Sequence, residues 1–474
     1  LPQMTENVRY DGSLKASVIL KDLAPFVPAL SRFEEPLDLN LVFSGHGKHL
    51  DCPTLRLTNH HGLMIAGEAA LSNWDAGMDM YIYGKLGNLT MTKEGINVLM
   101  TNLTGKVPPI LQRLDYIRFN GEAAGYLHDL TLTGLFYTGA GMVKTDVMMS
   151  IDEQSMSRTY SGSVASADLD LGKLLNQEKK FGKVDFNVEL KGFNYKNRYP
   201  ESYIKGIISS FEYSQYQYEN IMLDGVYKDG GFNGRLSMDD ANGSVQIDGN
   251  FNVAKTIPDF NLKASVKNLR PHDLHLSDKY ENASISLGLT ADFTGKSIDD
   301  MNGRISLDSL QLNAPDERGC FLDNLTITAG QVSGEKELRI NSSFMTAVIR
   351  GDYSYHTIPA SVVKTVQRYI PSLLTIKDNM PEPHNNFQFD ICLENAEVLS
   401  KLFQIPLELY LPASLKGYFN DGEEKLHVEG HFPEFRYNGT RYDSGVLFCE
   451  NPSDRFKCSL RGGMLMKSGA MLNF

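Results

Sequence analysis

The sequence has 474 residues, of which 42% are apolar and 22% are charged, and its formal net charge is −12. This composition excludes an intrinsically disordered chain, and the acidic balance argues against nucleic acid as a partner, because phosphates would be repelled. No apolar run reaches the roughly 18 residues that a membrane-spanning helix needs.

Segments in which apolar and polar residues alternate recur along the chain, from "LDLNLVF" at 37–43 to "FQFDICL" at 387–393. A period of two is typical of a strand with one apolar and one polar face. Clusters of Gly, Asn and Asp separate the segments, which predicts tight turns and antiparallel pairing. The predicted apolar positions after the first segment are Val184, Phe186, Val188, Leu190, Val245, Ile247, Phe251, Val253, Phe260, Leu262, Val266, Ile285, Leu287, Leu289, Phe293, Phe387, Phe389 and Ile391.

Short helical or irregular segments, which we call plugs, interrupt the strands. Each is shorter than an isolated stable helix, so each must dock on an apolar surface. The plugs span 21–33, 107–114, 169–181, 269–280, 358–370 and 396–403.

The order of plug and strand repeats. After the plugs at 169–181 and 269–280, a Lys-aromatic pair precedes a long alternating strand, and Phe181 and Tyr280 are 99 positions apart. The sequence therefore predicts repeats of roughly 90–100 residues, each with about five strands and one plug. The predicted boundaries are 1–168, 169–268, 269–394 with a helical insert at 358–371, and a truncated repeat at 395–474. The chain starts without Met and ends within an alternating segment, so we expect it to be a piece of a longer protein.

Several phrases carry a resemblance to a known family. "NLRPHDLHLSDKYENASISLGLTADFTG", "LTADFTGKSIDDMNGRISLDSLQLNAPD", "DNLTITA" and "IRGDYSYHTIPASVVKTVQRYIPSLL" combine the plug with long alternating strands. In this pattern the chain resembles the TamB-type translocation and assembly module family, within the AsmA-like, repeating β-groove bridge class of lipid-transfer proteins. The resemblance covers most of the chain.

The resemblance implies a mostly β fold, an elongated, twisted antiparallel sheet curled into an open groove. It implies a location in the periplasm or cell envelope of a Gram-negative bacterium, with a single-pass inner-membrane anchor outside this chain. It also implies an Omp85-type, TamA-like outer-membrane barrel as partner. The function it implies is outer-membrane biogenesis, as a lipid conduit or as an assembly factor for outer-membrane proteins and protein secretion.

The apolar faces suit such a conduit. Side by side, they would form a continuous apolar surface for phospholipid acyl chains, with no catalytic residue and no cofactor. The candidate lining residues are the eighteen apolar positions given above for 184–391. The same residues also fit an ordinary packed core.

Candidate chemistry is sparse. His46, His49, Cys52 and His60 are zinc-ligand types within a short segment, but His46 and His49, like His49 and Cys52, have opposite parity on a strand and would not converge without a turn. A polar hairpin tip is the preferred interpretation of this segment. The acidic pairs Asp239–Asp240 and Asp299–Asp300 fall at predicted turns, where a glycosidase pair stays an open alternative. The five cysteines are few and odd in number, which favours unpaired thiols, although Cys449 and Cys458 could face each other across a hairpin.

Two other functions fit part of the pattern. An outer-membrane β-barrel also has alternating strands, but recurring plugs and the lack of aromatic girdles argue against it. An extracellular β-rich module that binds or hydrolyses glycans is the third hypothesis, although Trp74 is the only tryptophan available for stacking on sugars.

Overall fold

The structure is a computed structural model that describes residues 8–23, 31–152, 154–155, 157–194, 201–279, 281–315, 319–369, 385–451, 455–466 and 470–473. The chain divides into two compact units, Leu1–Ala241 and Asn242–Phe474. The second of the matched aromatic residues, Tyr280, and parts of the plugs at 21–33 and 358–370 lie outside the described residues.

The first unit is an antiparallel meander in which each strand pairs with the next along the chain. Its strands are β1 (Arg9–Ile19), β2 (Pro36–His46), β3 (His49–Thr58), β4 (Leu63–Ser72), β5 (Tyr81–Thr92), β6 (Tyr116–Tyr126), β7 (Asp129–Thr138), β8 (Gly141–Ile151), β9 (Arg158–Asp170), β10 (Phe181–Asn194), β11 (Glu201–Tyr213), β12 (Tyr216–Lys228) and β13 (Gly231–Asp240). Its helices are α1 (Lys93–Thr104), α2 (Pro109–Gln112) and α3 (Leu171–Leu175), with 3-10 turns at Leu20–Leu23 and Gly77–Asp79.

The second unit continues the same antiparallel pattern with one exception. Its strands are β14 (Gly243–Asn252), β15 (Asp259–Leu269), β16 (Ser284–Thr294), β17 (Asn302–Asn313), β18 (Cys320–Val332), β19 (Glu335–Ser342), β20 (Met345–Asp352), β21 (Asn386–Leu393), β22 (Leu407–Leu409), β23 (Ala413–Asn420), β24 (Lys425–Tyr437), β25 (Thr440–Glu450), β26 (Lys457–Leu465) and β27 (Met471–Asn473). Its helices are α4 (Ile358–Tyr369) and α5 (Glu397–Phe403). The exception is the short β22, which pairs with β24, while β21 pairs with β23.

Bulges interrupt the register of several neighbouring strands. In the first unit they lie between Cys52 and Leu55 and between Leu86 and Leu89. In the second unit they lie between Ser286 and Gly288 and between Val266 and Leu269. A bulge bends its strand and increases the local twist, so these residues favour a curved sheet over a flat one.

Helices of the first unit pack on strand ends. Thr92 caps α1 by accepting a hydrogen bond from the Gly95 amide, and Gly105 ends the helix in the left-handed conformation. Ile96 of α1 is 2% exposed and lies in a cluster with strand residues. The buried members of this cluster are Ile96, Leu114, Ile117, Ala140, Leu169, Leu174 and Val184.

The second unit has helix-covered clusters at both ends of β21. At its beginning, Phe387 packs with Tyr353, Phe419 and Leu426, and Ile358 of α4 covers them. At its end, the partly buried Leu393 packs against a cluster that contains Val398 of α5. Phe419 is 1% exposed, so these clusters are the packed cores of the unit.

The predicted fold class is confirmed: the structure is mostly β, antiparallel and not closed. The plugs at 107–114, 169–181, 358–370 and 396–403 contain α2, α3, α4 and α5, whereas the described residues of the fourth plug that follow β15 form turns around the fully buried Leu274. Helix α1 was not predicted. The predicted repeat boundaries stay predictions.

The prediction of five unpaired cysteines was wrong for one pair. Cys449 and Cys458 lie opposite each other on β25 and β26 and form a disulfide. The hairpin brings their Cα atoms to 4.1 Å, which the low cysteine count did not indicate. Cys52, Cys320 and Cys392 are free.

Candidate functional site: the apolar face of the sheet

The strand register of the first unit aligns one residue from each strand into a row that crosses the whole unit. We call it the first central row. Thr145 is its only member that is neither apolar nor glycine. The row consists of Leu14, Leu41, Leu55, Gly67, Leu86, Gly121, Gly134, Thr145, Val164, Val188, Gly206, Leu223 and Leu236.

The second unit has an equivalent row, the second central row, from β14 to β26. Every member is apolar or glycine. The row consists of Gly249, Leu262, Ala291, Ile305, Ile327, Ile340, Ala347, Ile391, Leu415, Gly430, Leu447 and Leu460. At ~4.8 Å between strands, each row extends for about 50–60 Å within its unit. We call the surface that carries each row the apolar face of that unit.

The opposite face of each unit carries charged residues, such as the neighbouring Asp390, Lys416 and Glu429 in the second unit. In the first unit, the charge alternates in sign from strand to strand along one row of this face. It does so from Glu68 through Lys85 to Glu122, and again over the four neighbouring strands from Glu189 on β10 to Arg235 on β13. Its members are Glu68, Lys85, Glu122, Thr133, Asp146, Ser163, Glu189, Lys205, Asp224 and Arg235. Opposite charges on neighbouring strands attract, and Lys205 Nζ lies 3.5 Å from Asp224 Oδ2. This face is therefore suited to water.

Large residues of the central rows are half-buried. In the first row only Leu14 is more open, at 41% exposure, and no described member is fully buried. In the second row the buried members are the small residues Ala291, Ala347 and Gly430, and Leu460 is 57% exposed. Residues between two packed layers would be almost fully buried. The sides of these residues therefore contact their neighbours, while their ends stay accessible.

The hydroxyl groups on the apolar face of β7–β9 donate hydrogen bonds to the backbone. Thr138 Oγ1 donates to the Gly141 carbonyl at 2.9 Å, and Ser166 Oγ donates to the Val184 carbonyl at 3.2 Å. Thr145 Oγ1 is 3.5 Å from the Gly134 carbonyl. Because their protons are used internally, these hydroxyls interrupt the apolar surface little.

Most of the predicted lining residues lie on these faces. Val184, Phe186, Val188 and Leu190 of β10 face the apolar side of the first unit. In the second unit β14, β15 and β16 bring their predicted residues into three rows, and β21 contributes a fourth group. The first row is Val245, Val266 and Leu287, the second is Ile247, Ala264 and Leu289, and the third is Phe251, Phe260 and Phe293, while Leu262 lies in the central row. The β21 residues are Phe387, Phe389 and Ile391.

Some of the predicted residues do not line an open surface. Val184 and Phe387 are 4% and 7% exposed, because they belong to the clusters beneath the helices. Ile285 and Leu287 are partly buried against the cluster that contains Val398. Val253 lies beyond the end of β14 and is 61% exposed.

Sequence reasoning missed much of both rows. Ile305, Ile327, Ile340 and Leu415 lie in the second central row, yet they were not among the predicted lining residues. In the first row, glycines such as Gly121 and Gly134 stand where the alternation expects a large apolar residue. One sequence signal could have identified these rows: charged residues are absent from every second position of these strands.

The histidines of the weak metal candidate only partly converge. The β2–β3 hairpin pairs His46 with His49, and their ring centroids are 5.3 Å apart, so this pair converges through a turn and lies at the tip of a hairpin. His49 contacts Ser72 Oγ at 2.7 Å and Asp51 Oδ2 at 2.9 Å. Cys52 points to the apolar face, where burial raises its thiol pKa, and His60 lies beyond the far end of β3. Within the part of the chain that the structure describes, no group of three or more His, Cys, Asp or Glu residues could hold a metal ion.

The acidic pairs are engaged in turns. Asp240 accepts hydrogen bonds from Tyr216 Oη at 2.5 Å and from the Glu219 amide at 3.1 Å. Asp300 accepts from the Lys296 and Ser297 amides at 2.8 and 2.6 Å, and these bonds lower its pKa to about 2. Asp300 is therefore held ionised as a turn acceptor, which does not suit a general acid.

No known protein family, curated protein or solved structure matches this chain. None of the helices in the described ranges combines the length and the hydropathy needed to cross a bilayer.

Proposed function

We propose that this chain is a non-enzymatic conduit for phospholipid acyl chains between the inner and outer membrane. The observation that carries the proposal is the uncharged central row in each unit, apolar or glycine at every position except Thr145, whose large residues are half-buried rather than packed beneath a second layer. Sheets that bury this much apolar surface in a core leave no such accessible row.

The free-energy cost of moving a phospholipid through water is large. A phospholipid carries about thirty tail methylenes, and each costs ~0.8 kcal/mol in water, so free transit would cost about 25 kcal/mol. A continuous apolar row offsets this cost at every step without a tight site. The charged opposite face keeps the sheet in water.

The location and partners belong to the same proposal and rest on the resemblance of the sequence. They are the cell envelope of a Gram-negative bacterium, an inner-membrane anchor outside this chain and an Omp85-type barrel.

An assembly factor for outer-membrane proteins is the second candidate. The observation that favours it is that the antiparallel sheet is not closed. An exposed strand edge can accept a strand of another chain.

The test is the lipid content of the purified chain, extracted without detergent and measured by mass spectrometry. Leu289→Asp places a charge between Ala264 and Leu307 on the apolar face, and we expect it to lower the lipid content. Thr290→Asp is the matched control, because Thr290 is exposed on the charged face of the same strand. Circular dichroism checks folding. Absence of lipid from the unsubstituted chain, or equal content in both variants, would contradict the conduit.

If Leu289→Asp unfolds the protein, Leu289 is packed core and supports no conduit there. A photoreactive residue at Ile247 or Leu287 in living envelopes separates the two candidates. Adducts with lipid support the conduit, and adducts with nascent barrel proteins alone support the assembly factor.

A further inference from the structure

In the first unit, the described α-helices all lie at the same side of the sheet, where the odd-numbered strands end. The 3-10 turn at Leu20–Leu23 follows β1, α1 and α2 follow β5, and α3 follows β9. In an antiparallel meander, connections after odd-numbered strands lie at one edge and those after even-numbered strands at the other. We call the side where the odd-numbered strands end the helical edge, and the side where the even-numbered strands end the open edge. Both terms refer to the ends of the strands and not to an outermost strand.

The helical edge is sealed by packing over β5–β11. Helix residues Ile96 and Leu174 are 2% and 8% exposed and lie against Ile117, Leu169 and Val184 at the strand ends. A polar headgroup could not lie there without losing its hydration, which costs several kcal/mol when no partner replaces the water.

The open edge has a different construction. In its described residues, the helical structure is limited to the three-residue 3-10 turn Gly77–Asp79. The apolar face ends at this edge in amphipathic aromatic residues: Tyr10 Oη donates to the His49 carbonyl at 2.6 Å, and Tyr160 hydrogen-bonds to the Ser202 hydroxyl. Tyrosines with one apolar and one polar end are typical of a boundary between hydrocarbon and water.

The turns of the open edge add paired charges of both signs. Lys48 Nζ lies 2.6 Å from Asp75 Oδ2, and Lys228 Nζ lies 2.7 Å from Glu201 Oε2. A border of mixed charge is compatible with a headgroup that is itself hydrated and charged.

The dimensions fit a lipid lying along the strands. A ten-residue strand spans about 33 Å, whereas one leaflet contributes about half of the ~30 Å hydrocarbon thickness of a bilayer. A tail that starts at the open edge therefore reaches the central row and ends before the helical edge.

We infer that a phospholipid in the first unit lies with its headgroup at the open edge and its tail ends towards the helical edge. The lipid then moves across the strands with this orientation fixed. This inference rests on the proposed conduit.

Trp74 is a built-in reporter of the open edge. It is the only tryptophan of the chain, lies in the β4–β5 connection and has its ring centroid 6.3 Å from that of Tyr10. The test loads the 474-residue chain with phosphatidylcholine that carries a nitroxide either on the headgroup or near the tail end. Tryptophan fluorescence is then measured for each.

The matched variant moves the reporter. Trp74→Phe combined with Ile65→Trp places the tryptophan on β4 towards the helical edge, between Leu57 and Leu89. If Ile65→Trp disturbs folding, Leu57→Trp replaces it. Because the two reporters are about 20 Å or more apart, we expect the headgroup label to quench Trp74 about twofold more than the tail label, and the order to reverse in the variant.

Equal quenching by both labels at both positions, or the opposite order, would overturn the orientation. Bound lipid that quenches neither reporter would also overturn it, because the lipid would then lie elsewhere. A chain that retains no lipid, measured separately by mass spectrometry, would overturn the proposed conduit and the orientation with it.

Discussion

The two units keep the same division of faces but fill the apolar face differently. In the first unit the central row contains Gly67, Gly121, Gly134 and Gly206, whereas the second unit has Ile305, Ile327, Ile340 and Ile391 at its centre. The constant feature is the absence of charge. The volume of the side chains can therefore vary along the proposed conduit, provided that no charged group interrupts it.

The edges also differ. The described helices of the first unit lie on one edge, while α4 and α5 lie at opposite ends of β21 in the second unit. Helices at both strand ends leave less room for a headgroup. We therefore expect lipid access to be easier in the first unit.

The largest expected effect comes from removing the aromatic core beneath α4. Phe419→Ala empties a site that is 1% exposed, so the free energy of unfolding should fall by about 3–5 kcal/mol. Hydrogen exchange of 385–428 should accelerate accordingly. Tyr418→Ala is the control, because Tyr418 is 43% exposed on the charged face and should change stability by less than about 1 kcal/mol. Equal effects of the two changes would mean that α4 does not seal this edge.

The next effect concerns the end of the second unit. Breaking the Cys449–Cys458 disulfide by a double Ser substitution should destabilise the β25–β26 pairing by about 2–3 kcal/mol. Hydrogen exchange of these strands with and without reductant measures it. Cys392→Ser serves as the control for a free thiol. Unchanged exchange after reduction would show that strand pairing alone holds this end.

A smaller effect tests the small-residue surface of the first unit. A Cβ atom added at Gly84, which lies between Ala69 and Ala123, would meet no atom within 4 Å. Gly84→Leu should leave the fold intact and exclude about two lipid methylenes, which costs about 1.6 kcal/mol, or about tenfold in lipid affinity.

Gly87→Leu is the matched control on the same strand, because Gly87 is exposed and also has free space around it. Lipid titration of both variants makes the comparison. Equal affinities would mean that lipid does not contact the face at Gly84.

The smallest effect is a pH dependence in the first unit. The hydrogen bond from His61 Nδ1 to Glu94 at 2.8 Å, supported by Glu35 at 3.2 Å from Nε2, raises the pKa of His61 above its ordinary value of 6.5. Since the folded pKa lies above the unfolded one, the stabilisation is complete below about pH 6.5 and is lost as the pH rises through the folded pKa.

The melting temperature should therefore fall between pH 6 and pH 8 more in the unsubstituted chain than in His61→Gln, in which this contribution is absent. Identical pH profiles would remove His61 as a link between the β3–β4 turn and α1.

The strands were the predictable part of the fold. Alternation identified β10, β14, β15, β16 and β21, because water on one face and hydrocarbon on the other impose a period of two. It failed where glycine replaces a large apolar residue, as at Gly121 and Gly134. The rows themselves depend on turn lengths and on bulges such as that between Leu86 and Leu89, which the period does not reveal.

Helix α1 and the disulfide were missed for local reasons. The α1 segment follows the alternating end of β5 without a break, and its signals were the Thr92 cap and the spacing of Ile96 and Met100. The disulfide depends on a cross-strand register that a count of cysteines cannot contain. The edge at which each helix lies depends on the number of preceding strands. A prediction that missed one strand would therefore have placed every later helix at the wrong edge.

The hairpin connectivity has a consequence for how such a chain can change in length. Inserting one strand would reverse the direction of all later strands and exchange their edges, whereas inserting a hairpin preserves both edges. Growth would therefore occur in steps of two strands, or about 9.6 Å. Duplication of a hairpin would therefore lengthen the sheet in these steps and keep each helix at the same ends of the strands.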